Sequence, residues 1–451
     1  MSTAKAQTKK MNVVQLTILT GINMLGSGII MLPSQLAKVG TMSILSWLVT
    51  AIGATALAYS FAQCGIFSKN KGGMGGYADY TYGKSGNFLA NYTYAVCLVI
   101  SNVAISVSVV GYAVVFVGVK PTSLQTGLLV IATIWISTIP NFISPKMTGK
   151  IGSITILGVL IPIIVLCTAG WFFFSGDLWV KSWNPNHYSF LTGISKSITM
   201  TLWAFLGLES ACANMDAVEN PKRDVPIAVL GGTILAAIIY IVSTALIQGI
   251  NPGSAIINST APFGLVFATM FTPLVGKIAI GLMVISCFGS LMAWQFTVAE
   301  VFRSSAALNY FPKIFSKVSK NDVPIIGMII LAIFQTIFGL GTISPSINKQ
   351  FQVLVNLAVV LNMIPYLLSM GALQAMQKIE GASKKKARVT VIISFLAGLY
   401  VLYACYASGP EAMLGGGIIT FLGWLLYGLQ ANRFVGKDSQ DEGLYTDKVK
   451  K

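Results

Sequence analysis

Long apolar runs separated by short polar segments dominate this sequence. A helix needs about 20 apolar residues to cross roughly 30 Å of hydrocarbon, because each residue adds about 1.5 Å. Twelve runs meet this requirement, so the pattern predicts an all-α membrane protein with twelve transmembrane helices. The runs fall at about 12–33, 42–66, 87–118, 122–141, 151–175, 192–213, 226–249, 275–302, 324–343, 351–372, 389–408 and 412–431.

The composition supports this prediction, and the basic residues predict an orientation. Of the 451 residues, 55% are hydrophobic and only 10% are charged. The net charge of +16 raises the question of nucleic acid, but a cytoplasmic N-terminus places most basic residues in the inner loops. The positive-inside rule therefore predicts that both termini are cytoplasmic. The charge is then explained by topology and contact with membrane lipids, and a nucleic-acid partner is excluded. The basic residues left outside are Lys38, Lys120, Lys181, Lys196, Lys277 and Lys349.

Two stretches of similar length each hold five spans. The first covers 12–175 and the second 192–372, preceded by a cytoplasmic N-terminus at 1–11. Because five is an odd number, the second set enters the membrane in the opposite orientation, which predicts a five-plus-five inverted repeat. Helices 11 and 12 at 389–431 and a cytoplasmic tail at 432–451 follow. The first run is too long for a cleavable signal peptide.

Each half opens with a span that glycines interrupt. Span 1 contains "NMLGSGIIMLP", and span 6 contains "WAFLGLESACAN" with Gly207. A mid-span glycine weakens the helix by roughly 1 kcal/mol relative to alanine and frees backbone groups that must face protein, water or a ligand. Close helix packing is the alternative explanation. The match between the halves favours a substrate site at broken helices 1 and 6. Free N–H groups around Ser27 and Gly28 could hold a carboxylate there.

Glu209 is the acidic residue predicted to lie near the middle of the membrane. A charged side chain at a helix centre costs about 2.5–3.5 kcal/mol on insertion scales, so it indicates function by default. The spans offer no Lys or Arg to pair with it, which favours a cation brought by the ligand, or a proton. A protonated glutamate that bridges two helices is the structural alternative.

Two tryptophans are also predicted at mid-membrane depth, although most membrane tryptophans lie near the headgroups. These are Trp203 and Trp294. An indole face attracts an ammonium group by roughly 0.5–2 kcal/mol, whereas simple packing is the alternative role. A site with an anion-binding end and a cation-binding end suits a basic amino acid, and a diamine would use only the second. Weaker candidates are Tyr92, Asn102, Trp424 and Tyr427.

Three segments resemble the basic amino acid/polyamine antiporters of the amino acid–polyamine–organocation superfamily, and among them the putrescine–ornithine exchangers. They are "QLTILTGINMLGSGIIMLP", "KGGMGGYADYTYGKSGNFLANYTY" and "MTLWAFLGLESACANMDAVENPKRDVPIAVLGGT". The resemblance runs along nearly the whole chain. It implies a LeuT-like fold, a substrate site between spans 1, 3, 6, 8 and 10, and a bacterial inner-membrane location. It also implies exchange of putrescine for ornithine by alternating access, with proton-coupled putrescine uptake as a second mode.

The resemblance also implies roles for individual residues. Asp79 stands in "GGYADY" where the family is expected to carry a glutamate, so a substrate role and a pairing with a nearby Lys both stay open. Glu209 would bind the amine or sense protonation, Trp203 would gate or stack, and Trp294 would close the site. Polar or backbone contacts would come from Asn23, Ser27, Gly28 and Asn102.

Several alternatives remain at this point. An exchanger for lysine/cadaverine or arginine/agmatine, or a proton/amino-acid symporter, would differ only in fine contacts. A membrane amino-acid sensor or a channel represents another class. An enzyme is excluded, because the spans hold no catalytic or metal-ligand set, and no cofactor or metal is expected. The expected partners are putrescine, ornithine, protons and membrane lipids, with a homo-oligomer left open.

Overall fold

The computed structural model describes residues 12–26, 28–70, 72–209, 220–344 and 346–430. This part of the chain is helical and holds no β-strand. Its α-helices, numbered in chain order, are α1 Val13–Leu25, α2 Leu32–Leu36, α3 Ile44–Phe67, α4 Gly73–Val117, α5 Ser123–Thr138, α6 Pro145–Thr155, α7 Leu157–Ala169, α8 Gly176–Lys181, α9 Phe190–Trp203, α10 Pro221–Ile250, α11 Gly253–Ile257, α12 Pro262–Met270, α13 Pro273–Ala307, α14 Ile325–Gly341, α15 Ile347–Ile379, α16 Lys384–Ala407 and α17 Pro410–Gln430.

These helices match the predicted spans. Nine helical stretches within the described residues are long and apolar enough to cross a membrane, namely α3, α4, α5, α6 with α7, α10, α13, α15, α16 and α17. The shorter apolar helix α14 forms span 9, and α1 and α9 begin the interrupted spans 1 and 6. The prediction of an all-α, multi-pass membrane protein is confirmed.

Packing between the two halves follows the repeat. Span 1 (α1) packs against span 7 (α10), and the pair expected from a shift of five spans, span 6 (α9) against span 2 (α3), is also formed. In the same way, span 3 (α4) packs on span 10 (α15), and span 8 (α13) packs on span 5 (α6 and α7). This agrees with the five-plus-five arrangement. The boundaries at 12–175 and 192–372 stay a prediction.

The two predicted breaks are present and lie against each other. Helix α1 ends at Leu25, and Gly26 has non-helical angles (φ −53°, ψ −110°). Helix α9 ends at Trp203, and Gly207 in the following turns has φ +104°, a left-handed conformation that favours glycine. A Cβ atom on Gly28 would lie only 3.3 Å from Ala204 Cα. The backbones of the two breaks are therefore in contact.

Helix α4 begins earlier than its apolar run. It starts at Gly73, whereas the run begins at about residue 87. Gly83 interrupts the helix with φ +59° and ψ −155°, so the segment before it takes a different direction from the span that follows. Asp79 lies on this leading segment and is separated from span 3 by the kink.

Candidate substrate site

One hydroxyl connects the two helix breaks. Tyr240 on α10 donates to the carbonyl oxygen of Met24 at 2.6 Å and to that of Ala204 at 2.8 Å. Both carbonyls lie at or beside the end of a helix, where the usual backbone donors are missing. Trp47 stacks on the Tyr240 ring, with centroids 4.9 Å apart, and keeps it in place. The broken helices are thus fixed relative to each other at membrane depth, where an unsatisfied carbonyl would be costly.

A cavity lies beside the breaks. Its walls come from spans 1, 3, 6, 8 and 10, the spans that the family resemblance implies. The lining residues are Met24, Gly28, Tyr94, Cys97, Leu98, Ser101, Ile105, Trp203, Ala204, Leu206, Gly207, Glu209, Trp294 and Asn362. The structure therefore brings together five of the predicted residues: Gly28, Trp203, Gly207, Glu209 and Trp294.

The carboxyl group of Glu209 is buried, with 7% of the residue exposed. Tyr94 donates to its Oε1 at 3.1 Å, Tyr366 donates to its Oε2 at 2.8 Å, and the Gly207 N–H donates to the same Oε2 at 3.1 Å. Within the described part of the chain, no Lys or Arg forms an ion pair with it. Three donors thus orient a carboxyl group that has no cationic partner of its own.

The two tryptophans form aromatic parts of the cavity wall. Trp203 is buried and packs edge-on against Phe351, with centroids 5.3 Å apart and planes at 90°. Trp294 on α13 is half-buried and lines the cavity from span 8. Aromatic walls beside a carboxyl group suit an ammonium group on an aliphatic stem, since indole faces attract cations and pack against methylenes.

Sequence reasoning missed four polar residues at the site. Tyr94, Tyr366, Ser101 and Asn362 touch Glu209 or line the cavity. Asn362 is only 2% exposed, and its amide lies beside the Tyr366 hydroxyl. The signal available in the sequence was the spacing of Asn362 and Tyr366, which puts two polar side chains on one face of an apolar helix.

Asn102 lies behind the cavity wall. Its Nδ2 donates to Gln295 Oε1 at 3.2 Å, and Gln295 exchanges two hydrogen bonds of 2.6 and 2.8 Å with Gln335. This buried amide network joins α4, α13 and α14. The preceding residue, Ser101, faces the cavity instead. Asn102 therefore supports the position of span 3 relative to Trp294, the neighbour of Gln295.

The weaker candidates lie away from the cavity lining. Tyr92 stacks on Phe88, with centroids 5.8 Å apart, and Tyr427 packs against the same ring at 5.3 Å. Trp424 on α17 is 47% exposed. Asp79 lies near Lys84 and Asn87 on the segment before the kink.

Two predicted residues are not covered by this geometry. Ser27 and the side chain of Asn23 lie outside the described residues. Among those that the structure describes, no group of three His, Cys, Asp or Glu side chains could hold a metal ion.

A polar layer joins the segment around α2 to the start of α15. On α2 and just after it, Gln35 Nε2 donates to the Asn348 carbonyl at 2.8 Å, and Lys38 Nζ donates to Gln35 Oε1 at 2.7 Å and to Gln352 Oε1 at 3.3 Å. Burial lowers the pKa of Lys38, because desolvation disfavours the charged ammonium group. This layer attaches the second half of span 1 to the start of span 10.

Broken helices in an inverted repeat around a buried carboxyl group define a membrane transporter. The sequence profile of the amino acid permease family matches residues 11–427, and the chain belongs to that family. The putrescine transporter PotE of Escherichia coli (strain K12) is 60% identical over 431 residues, which cover 96% of this chain and 98% of the relative. The putrescine transporter PotE of Haemophilus influenzae is 58% identical over 429 residues, 95% of this chain and 99% of the relative. A cadaverine/lysine antiporter of Escherichia coli (strain K12) is 30% identical over 424 residues, 93% and 94% of the two chains.

Tyr240→Phe should loosen both breaks at once. The substitution keeps the ring but leaves two buried carbonyls without their donor, which costs about 1–3 kcal/mol. Amide hydrogen exchange around 24–28 and 204–209 should speed up, and the unfolding temperature in detergent should fall. The exposed Tyr406→Phe serves as control, with Tyr406 72% exposed. Unchanged exchange in both segments would show that the hydroxyl does not stabilise the breaks.

Proposed function

We propose that this chain is a secondary active transporter that exchanges putrescine for ornithine by alternating access around the cavity. One observation carries the proposal: Glu209 is held by three donors beside two tryptophans and has no cationic partner in the described chain. A buried carboxylate of this kind needs a cation, and an amine substrate supplies one. The identity of 58–60% to transporters named for putrescine supports the choice of diamine.

Putrescine would bind through its ammonium groups and its four-carbon stem. One ammonium group pairs with Glu209, and the stem packs against Trp203 and Trp294. The second ammonium group has polar partners available in Ser101 and Asn362, both of which line the cavity. Asn362 is buried, so a ligand that hydrogen-bonds to its amide would replace water that the closed cavity excludes.

Ornithine would add a carboxylate to the same arrangement. The break in span 1 places Gly28 on the cavity wall, and backbone N–H groups at such a break suit an anion. Ornithine carries one net positive charge at neutral pH and putrescine two. A cycle that imports ornithine and exports putrescine therefore moves one positive charge outward. An inside-negative potential of about 100 mV opposes that step by about 2.3 kcal/mol, so the two substrate gradients must drive it.

Protons are the third proposed substrate. In proton-coupled putrescine uptake, Glu209 is the natural carrier, because it is the buried carboxyl group of the cavity and can exchange a proton for an ammonium group. The hydroxyls of Tyr94 and Tyr366 hold its two oxygens in place during this exchange.

The proposed location is a bacterial inner membrane with both termini in the cytoplasm. The distribution of basic residues supports this orientation. It places the layer of Gln35 and Lys38 on the outer side.

A counterflow assay tests the exchange. Vesicles containing the purified chain and loaded with ornithine should take up labelled putrescine much faster than empty vesicles. Loading with lysine, one methylene longer, should give roughly tenfold less stimulation, since one methylene in a fitted pocket is worth about 1–3 kcal/mol. Equal uptake into empty and ornithine-loaded vesicles would argue against exchange, and a preference for lysine would identify a different substrate pair.

Glu209→Gln should reduce putrescine transport by about a hundredfold or more, because a buried ammonium group loses its counter-charge. The amide keeps the size of the side chain, so the variant should insert and purify normally. Labelled putrescine uptake in the same vesicles measures the effect, with the exposed Glu411→Gln as control. Transport at the unmodified rate would remove Glu209 from the mechanism.

Trp294→Leu should raise the apparent KM for putrescine by about 2- to 30-fold, the equivalent of a cation–π contact of roughly 0.5–2 kcal/mol. Trp294→Phe should recover part of the affinity, because the ring face is retained. The control is Trp424→Leu, since Trp424 lies on an exposed face away from the cavity. An unchanged KM in Trp294→Leu would assign Trp294 to packing alone.

A further inference from the structure

A second concave surface lies between α15 and α16 and is separate from the substrate cavity. The two helices pack together and are joined by the short turn at 380–383. The groove between them has a free volume of about 290 Å³. Its walls are mostly apolar, with buried Leu373 at its floor and Phe395 65% exposed at its rim, so it opens toward the surrounding lipid.

Basic residues continue the two walls of the groove toward the turn. On α16 the wall residues Val391, Phe395, Gly398 and Leu402 recur every three or four residues, and Arg388 and Lys384 continue the same stripe. On α15 the wall residues Leu367, Gly371 and Gln374 are followed at the same spacing by Lys378. Cationic side chains from both helices therefore flank one end of the groove.

These cations are available to a ligand. Lys378, Lys384 and Arg388 are exposed, and none of them forms an ion pair within the described residues. The acid in the connecting turn, Glu380, is already paired with Lys69 at 2.8 Å. The charge at this end of the groove is thus positive and unbalanced.

We propose that this groove binds an anionic phospholipid, with Lys378, Lys384 and Arg388 around the phosphate and one acyl chain along the apolar walls. Basic clusters at the cytoplasmic end of membrane helices attract anionic headgroups, and the orientation proposed above places this end in the inner leaflet. The wall from Val391 to Leu402 rises about 16 Å, close to the thickness of one leaflet in a hydrocarbon core of roughly 30 Å.

The chain's own C-terminal segment is the competing occupant. Residues 431–451 follow α17 and carry several acidic residues that could meet the basic end. The segment is rich in charged and polar residues, however, which suits water rather than an apolar groove at hydrocarbon depth. The lipid accounts for both parts of the site, the basic end and the apolar walls.

The lipid would touch α15, the helix whose Tyr366 donates a hydrogen bond to the carboxyl group of Glu209. Leu367 on the groove wall directly follows Tyr366, whose hydroxyl donates to Glu209. A bound acyl chain would therefore pack against α15 one residue away from the tyrosine that contacts Glu209.

Photo-crosslinking of the full chain in detergent tests the site. Phosphatidylglycerol with a diazirine in one acyl chain should label peptides that contain 367–374 and 391–402, saturably. Phosphatidylcholine with the same chains should label them about tenfold less, because its headgroup has no net charge. Equal labelling by the two lipids would show that the groove is an ordinary lipid-facing surface without preference for an anionic headgroup. Absence of any labelling there, with 431–451 crosslinked to the groove instead, would assign it to the tail.

Two variants separate the basic end from the walls. The double variant Lys384→Gln/Arg388→Gln should lower phosphatidylglycerol labelling to the phosphatidylcholine level. Gly398→Leu should block labelling by filling the groove, and it should fold, since a Cβ at Gly398 would lie 3.5 Å from Leu367 Cδ2, an ordinary contact. The matched controls are Lys317→Gln/Lys320→Gln on another loop and Gly417→Leu, where a Cβ meets no atom within 4 Å. Unchanged labelling in both test variants would overturn the proposal.

Discussion

The structure depends on the need to satisfy backbone polar groups where no water is available. Two spans stop being helical in the middle of the protein, and each stop leaves carbonyls without their usual donors. The Tyr240 hydroxyl meets this need for both spans at once. Because one side chain serves both breaks, they must lie together, and Gly28, Gly207 and Glu209 consequently line one cavity.

The same constraint explains the surroundings of Glu209. A carboxyl group taken out of water needs hydrogen-bond donors, and Tyr94, Tyr366 and the Gly207 N–H supply them from spans 3, 10 and 6. These donors fix its orientation, and no Lys or Arg of the described residues forms an ion pair with it. Glu209 therefore has two separate roles in this proposal. Its hydrogen bonds stabilise the site without substrate, and its carboxylate attracts the cationic substrate.

The spans could be predicted from the length of their apolar runs. The two breaks and the central residues Glu209, Trp203 and Trp294 could be predicted because glycine, glutamate and central tryptophan are unusual in an apolar helix. For Asn362 and Tyr366 the sequence offers only their spacing on one helix face, and for Tyr94 it offers no signal, since their importance comes from contacts between distant spans. For Asn102 the sequence pattern does not decide which of two adjacent residues faces the cavity. A shift of one residue turns a side chain by about 100° around the helix, and Ser101 lines the cavity in place of Asn102. Tyr92 and Tyr427 are candidates by residue type alone, and both pack on Phe88.

Tyr240 has a further consequence for movement between conformations. A hydroxyl carries a single proton, yet here it faces two carbonyl acceptors at short range. When the breaks separate, the proton stays with one carbonyl, so that hydrogen bond is kept and the separation breaks only the other branch of the shared bond. A junction with two independent donors would lose both. The shared proton thus makes the junction between the half-helices firm at rest and inexpensive to open.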